Sequence, residues 1–405
     1  MLTPRIHAMN PIFQALAISF LILSSASVAQ QTPDRSGETD PISRTISKTA
    51  DLLPSVLQLD PLPGESERPV VTAMAISPDG TLMAAAGDDH AIRLITIPEG
   101  KIVRVLTGHR DWVQFIEFSP KGNRIASCGN DGLLCIWNLS PSNSAAANLD
   151  SVRVEPVRNQ VPHALFVLAF NHEDDLFAAG FHNSVYRLDV ERNSLSVYLR
   201  SDCRDIRALA LSHQHDQLAF AGRDGILRLA AIPANNIPAI GATSDKASSD
   251  NSRPINFASQ PIHFDRIRGL CYSSDDKSIF SVSEDRRLIQ FDVASRSVVS
   301  QLDLSAGKLL AIFPLDNDLI AVSGSDNTIR IINTKDSTVL SKLVGHDGSI
   351  SVLRRTQSQL ISGSFDTTIR TWNIAHAISK VDNAGRFMHP VAAQFEDSSA
   401  QESIR

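Results

Sequence analysis

Cysteine is scarce in this sequence: Cys128, Cys135, Cys203 and Cys271 are the only four among 405 residues. Four cysteines are too few to hold so long a chain together as a disulfide scaffold. No two of them have the Cys-x-x-Cys spacing of zinc or haem sites, which argues against a cysteine-based metal centre. Cys128 and Cys135 flank a hairpin turn at Asp131, so a cross-strand disulfide is open to them, but we expect buried free thiols.

Runs of positive charge are also absent. Lys and Arg total 38 against 44 Asp and Glu, a formal net charge of −6. No basic stripe is present that could neutralise the phosphates of a nucleic acid. We therefore predict that nucleic acid is not a partner.

Motifs of catalysis and of metal binding are missing as well. The sequence has no Gly-x-Ser-x-Gly elbow and no series of alternating carboxylates that could form a calcium loop. Two stretches with histidine beside acidic residues, 172–175 and 213–216, follow apolar segments as ordinary turns do. We predict that the protein is not an enzyme and that it binds no cofactor and no metal.

Long apolar runs are confined to the N-terminus. There, Arg5 and His7 precede the apolar run 12–23, and Ser27-Val28-Ala29 has the small side chains that a signal peptidase requires. We predict that residues 1–29 are a signal peptide cleaved after Ala29, so that the protein is exported to a periplasmic or extracellular location. The alternative, an uncleaved anchor, is disfavoured because about 20 strongly apolar residues are needed to span a bilayer. We expect no transmembrane span after cleavage.

The rest of the sequence is repetitive. Seven short turns each precede an apolar alternating run, at Asp89, Asp131, Asn183, Asp224, Asp285, Asp326 and Asp366. Their separations are 42, 52, 41, 61, 41 and 40 residues, so the repeat is close to 41 residues long. The two longer intervals contain polar segments at about 140–160 and 234–262, which we interpret as surface-loop insertions because loops lengthen at little cost in free energy.

Two of the repeats share further residues. Gly108-His109 is followed by Trp137-Asn138, and Gly345-His346 is followed by Trp372-Asn373. Together with the period, these residues resemble the WD-repeat family. The resemblance implies an all-β fold, a seven-bladed WD-repeat β-propeller with four-stranded antiparallel blades. The other five repeats lack the Gly-His pair and the Trp, and we expect apolar packing alone to hold them.

The resemblance also implies how the ring closes. In this family an N-terminal strand completes the last blade, and 55–65 has the pattern of such a strand; the C-terminal segment is the alternative donor. We predict a propeller over 53–378, a polar N-terminal tether over 30–52 and a polar C-terminal tail over 379–405. With the signal peptide, the sequence is identified as an exported, bacterial member of the family and as a monomeric propeller.

The recurring His, Ser, Asp and Trp residues could in principle form a catalytic triad. However, Ser127 and Ser362 fall within alternating strands, whereas a nucleophilic serine stands on a sharp turn. The resemblance instead implies two structural hydrogen-bonded tetrads. Their members are His109, Ser127, Asp131 and Trp137, and His346, Ser362, Asp366 and Trp372.

The remaining candidates concern binding. Proteins of this family bind partners on the face where each outer strand leads into the next inner strand, which would place Trp112 beside the channel mouth. The candidate partner-binding residues are Arg110, Asp111, Trp112, Asp205 and Arg266. We predict a noncatalytic scaffold for protein partners outside the cytoplasm. The alternative is a propeller enzyme or small-ligand binder, lactonase-like or quinone- or metal-binding, which needs inward carboxylates or histidines from several blades.

Overall fold

The computed structural model describes residues 55–97, 99–139, 155–232, 257–305, 307–315, 318–356 and 359–374. These residues form seven four-stranded antiparallel sheets, the blades of a propeller. The segments predicted as signal peptide, tether and tail, and most of both insertions, lie outside the described residues. Within the described ranges, no helix is long and apolar enough to cross a membrane.

The strands follow one another in chain order within the first four blades. Blade 1 consists of β2 (Val71–Ile76), β3 (Leu82–Gly87), β4 (Ala91–Thr96) and β5 (Ile102–Thr107). Blade 2 consists of β6 (Val113–Phe118), β7 (Arg124–Gly129), β8 (Leu133–Asn138) and β9 (Val157–Gln160). Blade 3 consists of β10 (Leu165–Phe170), β11 (Leu176–Gly180), β12 (Ser184–Asp189) and β13 (Ser194–Arg200). Blade 4 consists of β14 (Ile206–Leu211), β15 (Gln217–Gly222), β16 (Ile226–Ala231) and β17 (Phe257–Pro261).

The last three blades repeat this order, with one exception at ring closure. Blade 5 consists of β18 (Ile267–Tyr272), β19 (Ser278–Ser283), β20 (Arg287–Asp292) and β21 (Ser297–Asp303). Blade 6 consists of β22 (Leu309–Pro314), β23 (Leu319–Gly324), β24 (Thr328–Asn333) and β25 (Thr338–Val344). Blade 7 consists of β26 (Ile350–Arg355), β27 (Gln359–Ser364), β28 (Thr368–Asn373) and β1 (Ser55–Gln58).

The ring closes as predicted. Strand β1 pairs antiparallel with β28, with Ser55 opposite Thr371 and Gln58 opposite Thr368. An apolar cluster that includes Leu59, Met74 and Ile361 joins the first and last blades behind this strand pair. The outer position of blade 7 is therefore filled by the N-terminal strand.

Seven apolar clusters hold the ring together, one at each contact between neighbouring blades. The alternation of side chains along each strand sends successive residues into different clusters. Thus Cys135 packs between blades 1 and 2, whereas Cys128 packs between blades 2 and 3. These two thiols are buried and free on opposite faces of blade 2, so that a disulfide cannot join them.

Every inner strand contains a bulge near its first residue. In each of the seven inner pairs the register shifts between the first and third residues of the inner strand. A bulge re-aims the residue it contains. The seven second residues therefore form a ring that lines the axial channel, here called the bulge ring: Thr72, Gln114, Phe166, Arg207, Arg268, Leu310 and Ser351.

Candidate functional site

The predicted tetrad of blade 2 is present and buried. His109 lies in the loop before β6, and its Nδ1 is 2.9 Å from Asp131 Oδ2. Its Nε2 is 2.8 Å from Ser127 Oγ, which also accepts a hydrogen bond of 2.9 Å from the indole Nε1 of Trp137. Ser127 is fully buried in β7. Its hydroxyl is thus enclosed by the network and faces no cleft that a substrate could enter.

Blade 7 repeats this geometry. His346 Nδ1 is 2.8 Å from Asp366 Oδ2, its Nε2 is 2.7 Å from Ser362 Oγ, and Trp372 Nε1 donates to the same hydroxyl over 2.8 Å. Burial raises the pKa of Asp366, but hydrogen bonds from His346, Thr368 and the Asp347 amide outweigh it and lower the pKa below its ordinary value. The carboxylate is therefore ionised at neutral pH and orients the imidazole.

A third network, in blade 5, was missed by the sequence analysis. His263 Nδ1 is 2.9 Å from Asp285 Oδ2, and its Nε2 is 2.9 Å from Ser281 Oγ. Phe291 takes the position of the Trp and contributes no hydrogen bond, which leaves a triad. The spacing of 18 and 22 residues from His to Ser and Asp equals that of blade 2. This spacing was the available signal, hidden because Ile262 replaces the Gly of Gly-His.

In blades 1, 4 and 6 the turn aspartate pairs with an arginine and not with a histidine. The turn aspartate forms an ion pair with an arginine four residues later in the pairs Asp89–Arg93, Asp224–Arg228 and Asp326–Arg330. In blade 3, Arg187 stands four residues after Asn183 and pairs with buried Asp175. The expectation that apolar packing alone holds the five remaining repeats is therefore wrong for all of them. The arginines of blades 1, 4 and 6 are buried, and a buried guanidinium requires such a partner.

The inner strands enclose an axial channel of about 670 Å³. Among the described residues that line it, Glu117 of β6 is the one carboxylate, and burial raises its pKa to about 7 in spite of Arg354 of β26. None of the turn aspartates lines the channel. Recurring inward carboxylates, which the enzymatic alternative requires, are thus not found in the described part of the chain.

The two histidine-containing turns, 172–175 and 213–216, meet near the end of the channel where the inner strands finish. The rings of His172 and His215 are 4.8 Å apart, and His213 Nδ1 is 2.7 Å from Asp276 Oδ1. Among the described residues, no group of three or more His, Cys, Asp or Glu side chains could hold a metal ion.

The loops before the inner strands and the turns between the second and third strands meet at one end of the channel, here called the loop face. For example, the amide of Asn130 donates to the carbonyl of Trp112, and the amide of Phe365 donates to the carbonyl of Ser349. Trp112 and Phe365 line the channel mouth at 37% and 40% exposure. This arrangement presents two aromatic rings on a fixed backbone.

The predicted contact residues divide into two groups. Arg110 and Trp112 are exposed, and Asp111 Oδ1 accepts a hydrogen bond from the Trp112 amide. Across the mouth, Asp205 is buried and lies 3.2 Å from the Arg266 guanidinium. Asp205 therefore holds the Arg266 guanidinium in place, whereas the exposed Trp112 side chain can contact a partner.

Four further charged residues at the mouth were missed. Arg207 and Arg268 belong to the bulge ring, Glu284 lies in the turn after β19, and Lys308 precedes β22. Lys308 stands immediately before its inner strand, as Trp112, Asp205 and Arg266 do. That shared position was the available signal for Lys308, whereas the bulges that bring Arg207 and Arg268 to the mouth leave no mark in the sequence.

Three segments match the family described as WD domain, G-beta repeat: residues 58–96, 100–138 and 337–373. The last two contain the Trp tetrads of blades 2 and 7. The seven-bladed propeller therefore contains WD repeats at these three segments.

Several curated proteins are similar to this chain. Ribosome biogenesis protein ytm1 of Aspergillus niger is 26% identical over 320 residues, which cover 68% of this chain and 64% of the relative. The U3 small nucleolar RNA-associated protein 15 homolog of Xenopus tropicalis is 21% identical and is covered over 44% of its length, with 64% of this chain matched. A striatin homolog of Dictyostelium discoideum is 21% identical, with 68% of this chain and 36% of the relative covered. The matches thus span less than two thirds of these relatives.

These relatives overturn the predicted location. Ribosome biogenesis, for which the first relative is named, takes place inside the cell, and so does the work of a small nucleolar RNA. The prediction of an exported protein in the periplasm or outside the cell is therefore wrong. The relatives are eukaryotic and give no support to a bacterial exported origin or to the signal peptide.

Proposed function

We propose that this WD-repeat propeller is a noncatalytic scaffold whose loop face binds protein partners around the channel mouth. The observation that carries the proposal is the pair of half-exposed rings, Trp112 and Phe365, on the rim of the channel. Aromatic anchors of this kind supply much of the binding energy at protein interfaces. Their backbone is tied to neighbouring turns, so little conformational entropy is lost when a partner binds.

The absence of catalysis is supported by where the reactive groups lie. The serines of all three His–Ser–Asp networks are fully buried, and their hydroxyls are hydrogen-bonded within the blade. A hydrolytic triad would need its hydroxyl beside a substrate and an oxyanion site. Each of these networks, here called a brace, therefore stabilises its blade by joining the loop before the inner strand and the turn after the second strand to the sheet.

The relatives support a role in protein assemblies. Their names concern ribosome biogenesis and association with a small nucleolar RNA, and we extend to this chain the general role of a propeller within such assemblies. The predictions of a monomer and of no nucleic-acid partner stay predictions.

A quantitative affinity capture from cell lysate tests the proposal. The wild-type chain is compared with Trp112→Ala and with Val299→Ala, which removes an exposed apolar side chain from the outer strand of blade 5. We expect to find proteins that the wild type and Val299→Ala retain equally and that Trp112→Ala retains at least tenfold less, with all three chains equally stable to heat.

Two outcomes contradict the proposal. One is that no protein is enriched over a bead control. The other is that Trp112→Ala retains every enriched protein as well as the wild type, which would move the binding surface away from the channel mouth.

A further inference from the structure

The basic side of the channel mouth has more cations than carboxylates. Five contacts join six residues: Arg207 Nε to Asp205 Oδ1 at 2.5 Å, Arg266 Nη2 to Asp205 Oδ2 at 3.2 Å, Arg266 Nη1 to Glu284 Oε1 at 3.1 Å, Arg268 Nη1 to Glu284 Oε1 at 3.8 Å, and Lys308 Nζ to Glu284 Oε2 at 2.6 Å. Four cations thus share two carboxylates, a formal surplus of two positive charges. This group of six is here called the basic cluster.

The surplus charge faces the channel and not the protein interior. The side chains of Asp205 and Glu284 are only 4% and 8% exposed, whereas that of Arg268 is 31% exposed. Arg207 and Arg268 line the channel, and the Nε of Arg266 is buried without a hydrogen-bond partner. A ligand that enters the channel beside the cluster would therefore meet the guanidinium groups of Arg207 and Arg268 before the carboxylates of Asp205 and Glu284.

The cations are also crowded together. Burial lowers the pKa of Arg207 to about 10, with Arg268 and Arg266 contributing to the decrease while Asp205 opposes it. An additional anion would relieve this repulsion. Because the same guanidiniums already hold two carboxylates, a third carboxylate matches their geometry.

An apolar surface adjoins the basic cluster. The Arg207 guanidinium stacks 3.4 Å from the centroid of the Phe166 ring, and Phe166 lines the same cavity as Trp112 and Phe365. The mouth therefore has a basic side on blades 4 to 6 and an aromatic side on blades 2, 3 and 7. The channel volume of about 670 Å³ is large enough to admit side chains of a bound segment.

We propose that the channel mouth binds a peptide segment of a protein partner in which an Asp or Glu side chain, held by the basic cluster, adjoins an apolar side chain on the aromatic side. This inference rests on the proposed function and specifies the chemistry of the partner. A peptide fits better than RNA because exposed Asp202 and Asp265, in the loops that also contain Asp205 and Arg266, repel a continuous phosphate backbone.

The ligand is unidentified, so the probe is a random heptapeptide library displayed on phage, selected on the full chain. We expect enrichment of Asp or Glu beside an apolar residue. A labelled selected peptide is then titrated by fluorescence anisotropy, together with versions in which the acid is replaced by its amide or by phosphoserine and with a labelled oligouridine. The amide version should bind at least tenfold more weakly than the acid.

Arg268→Gln is the test variant, because its contact with Glu284 is long and Lys308 and Arg266 still hold that carboxylate. Arg286→Gln is the matched control, an exposed arginine of the β19–β20 turn on the same face. We expect about tenfold weaker peptide binding for the first and less than twofold change for the second, with both variants as heat-stable as the wild type.

The proposal is overturned if selection enriches no acidic residue, or if the amide peptide binds as tightly as the acidic peptide. It is also overturned if the Arg268→Gln chain binds the acidic peptide as tightly as the wild type does, or if only the phosphoserine peptide or the oligouridine binds. A cellular partner that Trp112→Ala loses and Arg268→Gln retains would keep the scaffold function while refuting the acidic peptide.

Discussion

Blades 2 and 5 contain the same His–Ser–Asp network but differ in the residue that completes it. Trp137 donates a hydrogen bond to the Ser127 hydroxyl, whereas Phe291 only packs in the apolar cluster between blades 4 and 5. The residue before the histidine differs as well. A Cβ atom on Gly108 would lie 3.0 Å from the outer ring atom Cη2 of Trp137, whereas the smaller Phe291 is accompanied by buried Ile262. The Gly of Gly-His thus makes room for the indole.

Blade 2 also differs from the three blades in which the turn aspartate pairs with an arginine. In blade 4, Arg228 contacts both Asp224 and Asp202, so that its charge has two partners. In blade 2 the single carboxylate of Asp131 accepts from His109 Nδ1, the Arg110 amide and the Leu133 amide. Removal of the single acceptor in blade 2 should therefore cost more stability than removal of one of the two carboxylates that pair with Arg228 in blade 4.

The largest expected effect follows from this difference. Asp131→Ala leaves three donors without their acceptor and should lower the free energy of unfolding by about 3 kcal/mol. Asp224→Ala should cost only about 1 kcal/mol, because Asp202 and the Ile226 carbonyl still pair with Arg228. Urea unfolding of both variants, with exposed Asp347→Ala as control, measures the two costs. Equal costs would remove the distinction between the two kinds of blade.

The second effect concerns the indole itself. Trp137→Phe converts the tetrad of blade 2 into the triad of blade 5 and removes one buried hydrogen bond together with packing volume. We expect a loss of about 2 kcal/mol. Trp112→Phe, at the exposed tryptophan, should change the free energy of unfolding by less than about 0.5 kcal/mol. A Trp137→Phe variant as stable as the wild type would show that the indole hydrogen bond is dispensable.

A double-mutant cycle tests the steric explanation of Gly108. Gly108→Ala should cost about 1 kcal/mol more in the wild type than in the Trp137→Phe chain, because the indole atom that the new methyl group meets is then absent. The contacts of the new methyl group with Arg158 and Pro156 are the same in both backgrounds and cancel. Additive costs would mean that Gly108 serves another purpose.

The last effect depends on pH and concerns blade 2, which contributes the one carboxylate, Glu117, among the described residues that line the channel. Burial raises the pKa of Glu117 from 4.5 to about 7, so its contribution to stability is fully present below pH 4.5 and is lost as the pH rises through 7. Glu117→Gln mimics the neutral form and should be more stable than the wild type at pH 8, with a much smaller difference at pH 5. Thermal unfolding at both pH values measures this change, and a gain that is the same at both would contradict it.

The hydrogen-bonded networks of the blades were predictable only where the whole pattern of Gly-His and Trp is visible in the sequence. The tetrads were predicted because Gly-His and Trp occur together, whereas His263 was overlooked because Ile262 and Phe291 changed together around an unchanged triad. The Asp–Arg pairs were overlooked because an arginine in an apolar run carries no sign of its burial. Export was predicted from the N-terminal residues alone and was contradicted by the relatives.

The sequence by itself determined the number of blades, their period and the turn aspartates, because each depends on contacts within about 40 residues that recur seven times. Only the tertiary structure decided what meets at the axis. Arg207 and Arg268 are 61 positions apart, and a bulge aims each of them into the channel that Phe166 and Trp112 also line. Their proximity follows from closure of the ring, which local pattern does not encode.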